Sequence, residues 1–472
     1  MPVEAEATAL HSYKMPTKGV NLYVEKSAIA EEEAVKTTNM IWRDGMQKRG
    51  GYAKFNANQV LTGKKVTGIH RFYYGIASKQ TLASSGTVVD YYTGSDWAAA
   101  KTGLTDGAQV LFETWGFNDK CYVANGADAP FSWDGSSAAA LTGLGGDVIQ
   151  FLTYQDRLLY ISNTTPGGLG WSASFVDNSW KSPTNTGVFP DSKLYGMVIH
   201  AAQVSDAGLA AKVLLAGANG MYLFGGNDLR VPSTSGDYKI DSLATRTGCS
   251  APLTMKWTPA GTVYLGTDKQ VYILPYNSLT PVPIGHKITA AGNRKEDGLE
   301  SIPASQIANA SAVYHEGFYK LSIAKTGGTG SFVYEADQSG TFTDNAVAVP
   351  IELQTFYHPL SVETLTKVLH HLEFEILSSV GTYNIDYFDT IQKIKNGDIL
   401  SITDNTLQWG TGNWGTFQWQ TTGPSRIRHS IDPAIHTKYL SILIKFTSDA
   451  DVRIYKIMAE ELQQFDPLGV IE

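Results

Sequence analysis

The chain has 472 residues and a formal net charge of −8, with 37 Lys and Arg against 45 Asp and Glu. Only 17% of residues are charged, Gly numbers 46 and aromatics make up 11%, which fits short strands joined by tight turns and fits a helix-rich enzyme poorly. The acidic balance argues against nucleic-acid binding through a general basic surface. Cys121 and Cys249 are the only cysteines. They are too few for a disulfide framework and lack zinc spacing, so both read as buried thiols in a reducing compartment. The opening MPVEAEATALHSYKMP has no basic-then-apolar signal order, and no apolar stretch reaches membrane-spanning length. The expectation is a soluble protein made in a cytoplasm, with no membrane insertion by this chain and no cofactor.

Residues 1–65 read as an N-terminal arm or platform segment. Within them Ala30 to Ile41 (AEEEAVKTTNMI) is the best helix candidate, because acids crowd its first turn, where the helix dipole favours them. WRDGMQKRGGYAKF then offers a hairpin turn at Asp44-Gly45 and a flexible exit at Gly50-Gly51. Lys48 and Arg49 have two readings: a phosphate contact or, as is usual for two cations beside a turn, a solvated corner.

Between Val66 and Leu144 one unit appears twice, first as VTGIHRFYYGIASKQTLASSGTVVDYYTGSDWAAAKTGL, then as AQVLFETWGFNDKCYVANGADAPFSWDGSSAAALTGL. Each copy has an apolar run, a polar turn, a second run ending in small residues, and an aromatic strand broken at Gly94-Ser95 or Gly135-Ser136. The offset of about forty residues is that of a four-stranded propeller blade. One blade buries little by itself, so several neighbours are implied. Less faithful copies follow, turning at Gln155-Asp156, at Ala218-Asn219-Gly220, at Pro259-Ala260-Gly261 and Thr267-Asp268-Lys269, and at Glu316-Gly317 and Gly327-Gly328. Openings near 66, 108, 148, 194, 253 and 311 give about six blades over residues 66–345, with long insertions near 226–250 and 275–303.

After residue 346 the pattern changes. LHHLEFEILS sets Leu372, Phe374 and Ile376 on one side and Glu373 and Glu375 on the other. With TYNIDYF, SRIRHSI, YLSILIKF and VRIYKIM it suggests an antiparallel sandwich or outer sheet over 346–472. LQWGTGNWGTFQWQ spaces Trp409, Trp414 and Trp419 evenly by five. Tryptophans so placed serve as core plugs, as subunit-interface anchors or as a glycan platform. The fold class expected is all-β: a β-propeller of about six blades, an N-terminal segment and a C-terminal antiparallel β-sandwich-like domain.

Apparent chemical motifs carry little. Gly410 to Gly415 spells G-x-G-x-x-G, but no helix pattern follows and no βαβ unit surrounds it. His370 and His371 are adjacent on a strand and point to opposite faces, wrong for a shared metal. A propeller can set two carboxylates across its opening as acid and nucleophile, yet nothing in the sequence selects such a pair. No catalytic or metal-binding residue is assigned.

The stretch Asn39 to Tyr52, NMIWRDGMQKRGGY, resembles the N-terminal signature of tail nozzle proteins of short-tailed bacteriophages, also called tail tubular protein B or tail stabilisation (head-completion) proteins. In that pattern an Asn-φ-x-φ-Arg-x-Gly segment leads into an Arg-Gly-Tyr or Arg-Pro-Gly-Tyr turn and then into propeller blades. VVDYYTGSDW and FSWDGSS are similar to the family's strand endings, and the C-terminal order of LEFEIL, a Trp/Gly-rich segment and YLSILIKFTSDADVRIYKIMAE is similar too. Gly50-Gly51, where Pro-Gly is common, and the long insertions depart from the family. The resemblance implies a structural virion protein of the phage tail without enzyme activity. It implies a homohexameric ring with the adaptor (head-to-tail connector) and tail fibre or needle proteins as partners, passing genomic DNA through its lumen without sequence-specific binding. Six copies at −8 each sum to about −48, and an acidic wall repels phosphate so that DNA slides without adhering. Trp42, Arg43, Asp44, Lys48, Arg49, Trp409, Trp414 and Trp419 are the expected assembly contacts. A receptor- or glycan-binding propeller and a polysaccharide-degrading propeller enzyme stand as alternatives.

Overall fold

The computed structural model describes residues 8–42, 45–163, 168–181, 193–205, 208–228, 237–245, 247–276, 278–284, 299–315, 317–323, 334–336, 343–344, 347–348, 350–355, 358–359, 367–378, 381–389, 392–402, 425–431, 435–437, 439–447 and 452–462. Among the described residues the secondary structure is nearly all β, and the chain divides into two compact units. One comprises Met1–Lys54, Ala290–Gly298 and Tyr334–Glu472; the other comprises Phe55–Thr289 and Leu299–Val333.

The first 54 residues supply β1 (Thr8–Tyr13), β2 (Lys36–Thr38), β3 (Met40–Trp42), β4 (Met46–Lys48) and β5 (Tyr52–Lys54). The helix expected over Ala30 to Ile41 does not form; β2 and the start of β3 occupy its second half. Val35, Thr37 and Thr38 are β-branched, and β2 finds a strand partner at Glu352 to Gln354. The acids that favoured a helix start are held in other ways. Glu31 pairs with Lys14 at 2.9 Å, Glu32 with Lys18 at 2.6 Å, and Glu33 accepts from Asn21 Nδ2 at 2.6 Å.

The unit from Phe55 is built of sheets in which consecutive strands run antiparallel. The first holds β6 (Val66–Tyr74), β7 (Ser78–Ser85), β8 (Val88–Tyr92) and β9 (Trp97–Thr102). The second holds β10 (Leu111–Trp115), β11 (Lys120–Ala124), β12 (Phe131–Trp133) and β13 (Ala138–Ala140). The third holds β14 (Val148–Tyr154), β15 (Arg157–Ser162), β16 (Leu169–Ala173) and β17 (Val176–Lys181). The fourth holds β18 (Leu194–Ser205), β19 (Gly208–Gly217), β20 (Met221–Asp228) and β21 (Asp237–Ser242). The fifth holds β22 (Lys256–Thr258), β23 (Gly261–Leu265), β24 (Val271–Pro275) and β25 (Val282–Pro283). A hairpin of β26 (Ser311–His315) and β27 (Phe318–Ser322) follows. The first strand of each sheet lies against the first strand of the next, from β6 through β26. This is a β-propeller-like arrangement.

Its energetics follow from alternation. Successive residues of a strand point to opposite faces, and the second strand of an inner sheet buries both. On β11, Cys121 and Val123 join a core with Phe72, Leu82 and Trp133 of the first two sheets, while Tyr122 and Ala124 join one with Phe151 and Leu158 of the third. On β19, Val213 and Leu215 face the third sheet, and Leu214 and Ala216 face the fifth. Hence the runs LLYI (158–161) and VLLA (213–216) are apolar at successive positions rather than alternating.

Two stretches read as insertions contain fourth strands. β21 lies within 226–250 and β25 within 275–303. Polar sequence disguised the first. The second is two residues long and ends in Pro283, which an edge strand tolerates. The sixth repeat also differs from expectation, because its third strand pairs elsewhere. β28 (Tyr334–Ala336) and β29 (Thr343–Asp344) both pair with β5, and β29 also with β30 (Val347–Ala348). Strand propensity was visible there; the choice of partner was not.

The remaining strands are β31 (Pro350–Gln354), β32 (His358–Pro359), β33 (Lys367–Ser378), β34 (Gly381–Asp389), β35 (Gln392–Ile402), β36 (Ser425–Ile431), β37 (Ile435–Thr437), β38 (Tyr439–Thr447) and β39 (Val452–Leu462). One sheet runs β3-β4-β39-β33-β36, with β1 beside β39 and β37 beside β33; the other runs β2-β31-β38-β34-β35, with β32 beside β38. Leu372, Phe374, Ile376 and Ile454 of the first share one core with Leu353, Ile385, Ile442 and Ile444 of the second. The N-terminal Tyr13, Met15, Ile29, Val35 and Met46 belong to the same core. The unit is a β-sandwich to which both ends of the sequence contribute.

Candidate functional site

The segment carrying the family-like signature folds as a clamped hairpin. β3 and β4 pair with Trp42 opposite Met46 and Met40 opposite Lys48, and β4 continues onto β39. Asn39 sits at φ +57°, a left-handed conformation that asparagine tolerates better than most residues. Its Nδ2 donates to Pro350 O at 2.7 Å, and its Oδ1 accepts from Arg49 Nε at 2.9 Å. Arg49 also donates Nη1 to Gly50 O at 2.9 Å and stands 4.8 Å over the Tyr52 ring. Gly45 has φ +105°, and a Cβ there would lie 3.2 Å from Ile454 O. The positive φ favours glycine at this turn, and a side chain there would also crowd the Ile454 carbonyl.

Of the expected contact residues, Trp42, Lys48 and Arg49 come together on this hairpin. Trp42 is 39% exposed and Lys48 only 1%. The solvated corner is corrected for Lys48, since the alternation that buries Met46 on β4 turns Lys48 inward as well. Arg49 is half-buried and committed to the clamp. Arg43, Asp44, Trp409, Trp414 and Trp419 lie outside the described residues.

A second polar system, not foreseen from sequence, bridges successive blade sheets. His70 Nε2 meets Thr114 Oγ1 at 2.7 Å, with its ring stacked on Phe112. Glu113 Oε1 accepts the Thr153 backbone N–H at 2.8 Å. The Gln150 amide donates to Met197 O and accepts from Met197 N, each at 2.8 Å. His200 Nδ1 meets Thr262 Oγ1 at 2.9 Å. Each bridge ties a first strand to the following sheet.

Burial controls the titration of these groups. It lowers His70 and His200 to about 4, with Lys212 adding to the effect at His200. It raises Glu113 to about 7, against the opposing pull of the Thr153 hydrogen bonds. Cys249 is pushed up to about 11 and Cys121 well above the usual thiol range, so both stay protonated and unreactive. Among the described residues no group of three His, Cys, Asp or Glu is arranged to hold a metal ion.

The third feature is an apolar cap on the turns. Ile76 in the β6–β7 turn is fully exposed, Phe117 in the β10–β11 turn is 64% exposed and Phe175 in the β16–β17 turn 52%. The Phe117 and Phe175 rings meet edge to face at 4.7 Å, and Asp119 Oδ1 accepts from Gly75 N at 3.1 Å. Phe175 has φ +55°, which is strained for a bulky side chain. The sequence signal was present: each of these turns carries a large apolar residue where polar ones are usual.

No family model and no curated protein matches this chain. Among solved structures it is similar to Raptor from Chaetomium thermophilum, at 15% identity and a TM-score of 0.33 over 53% of this chain. It is also similar to PorZ, a surface component of the type-IX secretion system of Porphyromonas gingivalis, at 9% identity and a TM-score of 0.32 over 64% of this chain. The chain spans 25% and 36% of the lengths of those two proteins.

Proposed function

We propose that the chain is a structural protein of a short-tailed bacteriophage tail, a nozzle subunit that assembles as a homohexameric ring around the exit path of DNA. The observation that carries the reading is the clamped hairpin. Asn39, Gly45, Arg49 and Tyr52, four residues of the signature stretch, are also residues with specific geometric work in it. The distribution of charge supports the same reading. The sandwich-containing unit holds 19 Lys and Arg against 27 Asp and Glu, whereas the blade unit holds 18 of each. The acidic wall that lets DNA slide is on this reading furnished by the sandwich unit. The exposed Ile76, Phe117 and Phe175 supply apolar surface for subunit or tail-partner contacts. Light scattering and negative-stain imaging of the purified protein, alone and with tail adaptor and needle proteins, test the proposal. A six-fold ring with an axial opening is expected; a stable monomer that ignores tail components would overturn it.

A further inference from the structure

The segment that enters the blade unit lies as a strap across one face of the first sheet. Phe55 directly follows Lys54, the last residue of β5. It packs on Tyr92 and Trp97 at ring distances of 4.7 and 6.1 Å. Asn56 Nδ2 donates to Ser95 O at 2.9 Å, Asn56 Oδ1 caps the Asn58 N–H at 2.7 Å, and Val60 is buried beside Ala83.

The face beneath the strap carries a carboxylate. Registers set Ile69, Ala83, Asp90 and Ala99 in one row across the sheet, so Asp90 shares the face that Val60 and Phe55 cover. Asp90 is 7% exposed, and its Oδ1 is enclosed without a hydrogen-bond partner; the buried Trp97 Nε1 on the same face also lacks one. An ionised carboxylate in such a place is costly unless it is paired. The charged groups around it do not pair with it. Arg71 and Lys79 lie on the same face further along, Arg71 giving Nη1–H to Thr81 Oγ1 at 2.7 Å. Lys101 on β9 stands over the Phe131 ring of the opposite side at 6.0 Å, Lys64 pairs with Asp106 at 2.5 Å, and Asp96 caps the β8–β9 turn. The strap itself, residues 55–60, carries no titratable side chain.

We propose that Asp90 and the Phe55–Val60 strap form a protonation-dependent latch: the strap closes over a neutral Asp90 and loosens when Asp90 ionises. Burial raises the Asp90 carboxyl to about 6, so the change falls between mildly acidic and neutral pH. Loosening lengthens the unattached chain between β5 and β6.

Hydrogen exchange of the intact protein tests this, with protection of residues 55–61 normalised to intrinsic rates at pH 5 and pH 8. Linkage to a carboxyl near 6 when covered and at its ordinary value when uncovered gives roughly a tenfold loss of protection at pH 8 relative to pH 5. Asp90→Asn should abolish that dependence, and Phe55→Ala should lower protection at both pH values. Equal protection of the wild-type strap at the two pH values would overturn the latch. So would a tenfold change that persists in Asp90→Asn.

Discussion

The polar bridge between the second and third blade sheets gives a quantitative expectation. Glu113 is half-buried on β10 and accepts the Thr153 N–H at 2.8 Å, and burial raises its carboxyl to about 7. The unfolded chain holds the same group near its ordinary value, about 4.3. Between those values the folded state binds more protons than the unfolded one, so stability falls as pH rises and levels off above about 7. At 1.36 kcal/mol per pKa unit the full difference is about 3.7 kcal/mol, and the solvent reaching the half-buried side chain trims it to about 2–3 kcal/mol. Glu113→Gln keeps an acceptor for Thr153 and removes the ionisation. The variant should match wild type in urea unfolding at pH 4.5 and exceed it by about 2 kcal/mol or more at pH 8. His70 and His200 titrate with the opposite sign, their depressed values costing stability as pH falls from about 6.5 towards 4. The difference between variant and wild type, followed by tryptophan fluorescence, therefore isolates Glu113. Parallel stability curves for the two proteins from pH 4.5 to 8 would refute the reasoning.

Further outcomes are expected. Asn39→Ala removes the left-handed tolerance and both side-chain bonds of the hairpin clamp, and should cost about 2–3 kcal/mol in thermal or urea unfolding. Gly68→Val should destabilise the blade unit by more than about 2 kcal/mol, because a Cβ there would lie 2.3 Å from Val110 O; calorimetry reads the loss. Phe175→Asn relieves a strained φ of +55° and should raise the stability of the isolated subunit by about 0.5–1 kcal/mol. Combined with Phe117→Ser it should weaken the proposed ring assembly in sedimentation experiments, whereas unchanged assembly would remove the apolar cap from the proposed contacts.

Sequence reasoning reached the blade unit well and the sandwich only in part, for physical reasons. The blades pair neighbours in sequence, and turn residues announce each reversal, as at Gln155 (φ +55°) and Lys269 (φ +65°). In the sandwich, alternation revealed which side of β33 is buried. It did not reveal that β2 would join Glu352 to Gln354, or that β5 would capture Tyr334 to Ala336, because propensity does not encode a distant partner. Lys48 looked like a surface cation because its letter is charged; its place two residues after the buried Met46 on β4 decided otherwise. The inter-sheet bridges were illegible because His70, Glu113 and Gln150 find their partners roughly forty residues away, across a packing direction absent from any local pattern.

The pairing of β1 with β39 has a consequence for how the protein is made. Thr8 lies opposite Leu462, so roughly 450 residues of synthesis separate β1 from its partner. At about 5–20 residues per second the wait is roughly 20–90 s. During that interval the blades, whose strands pair with near neighbours, can fold and β3 and β4 can form their hairpin, while β1 and β2 wait for distant partners. The sandwich is therefore the later half of the molecule to form and the half most dependent on chaperones during synthesis.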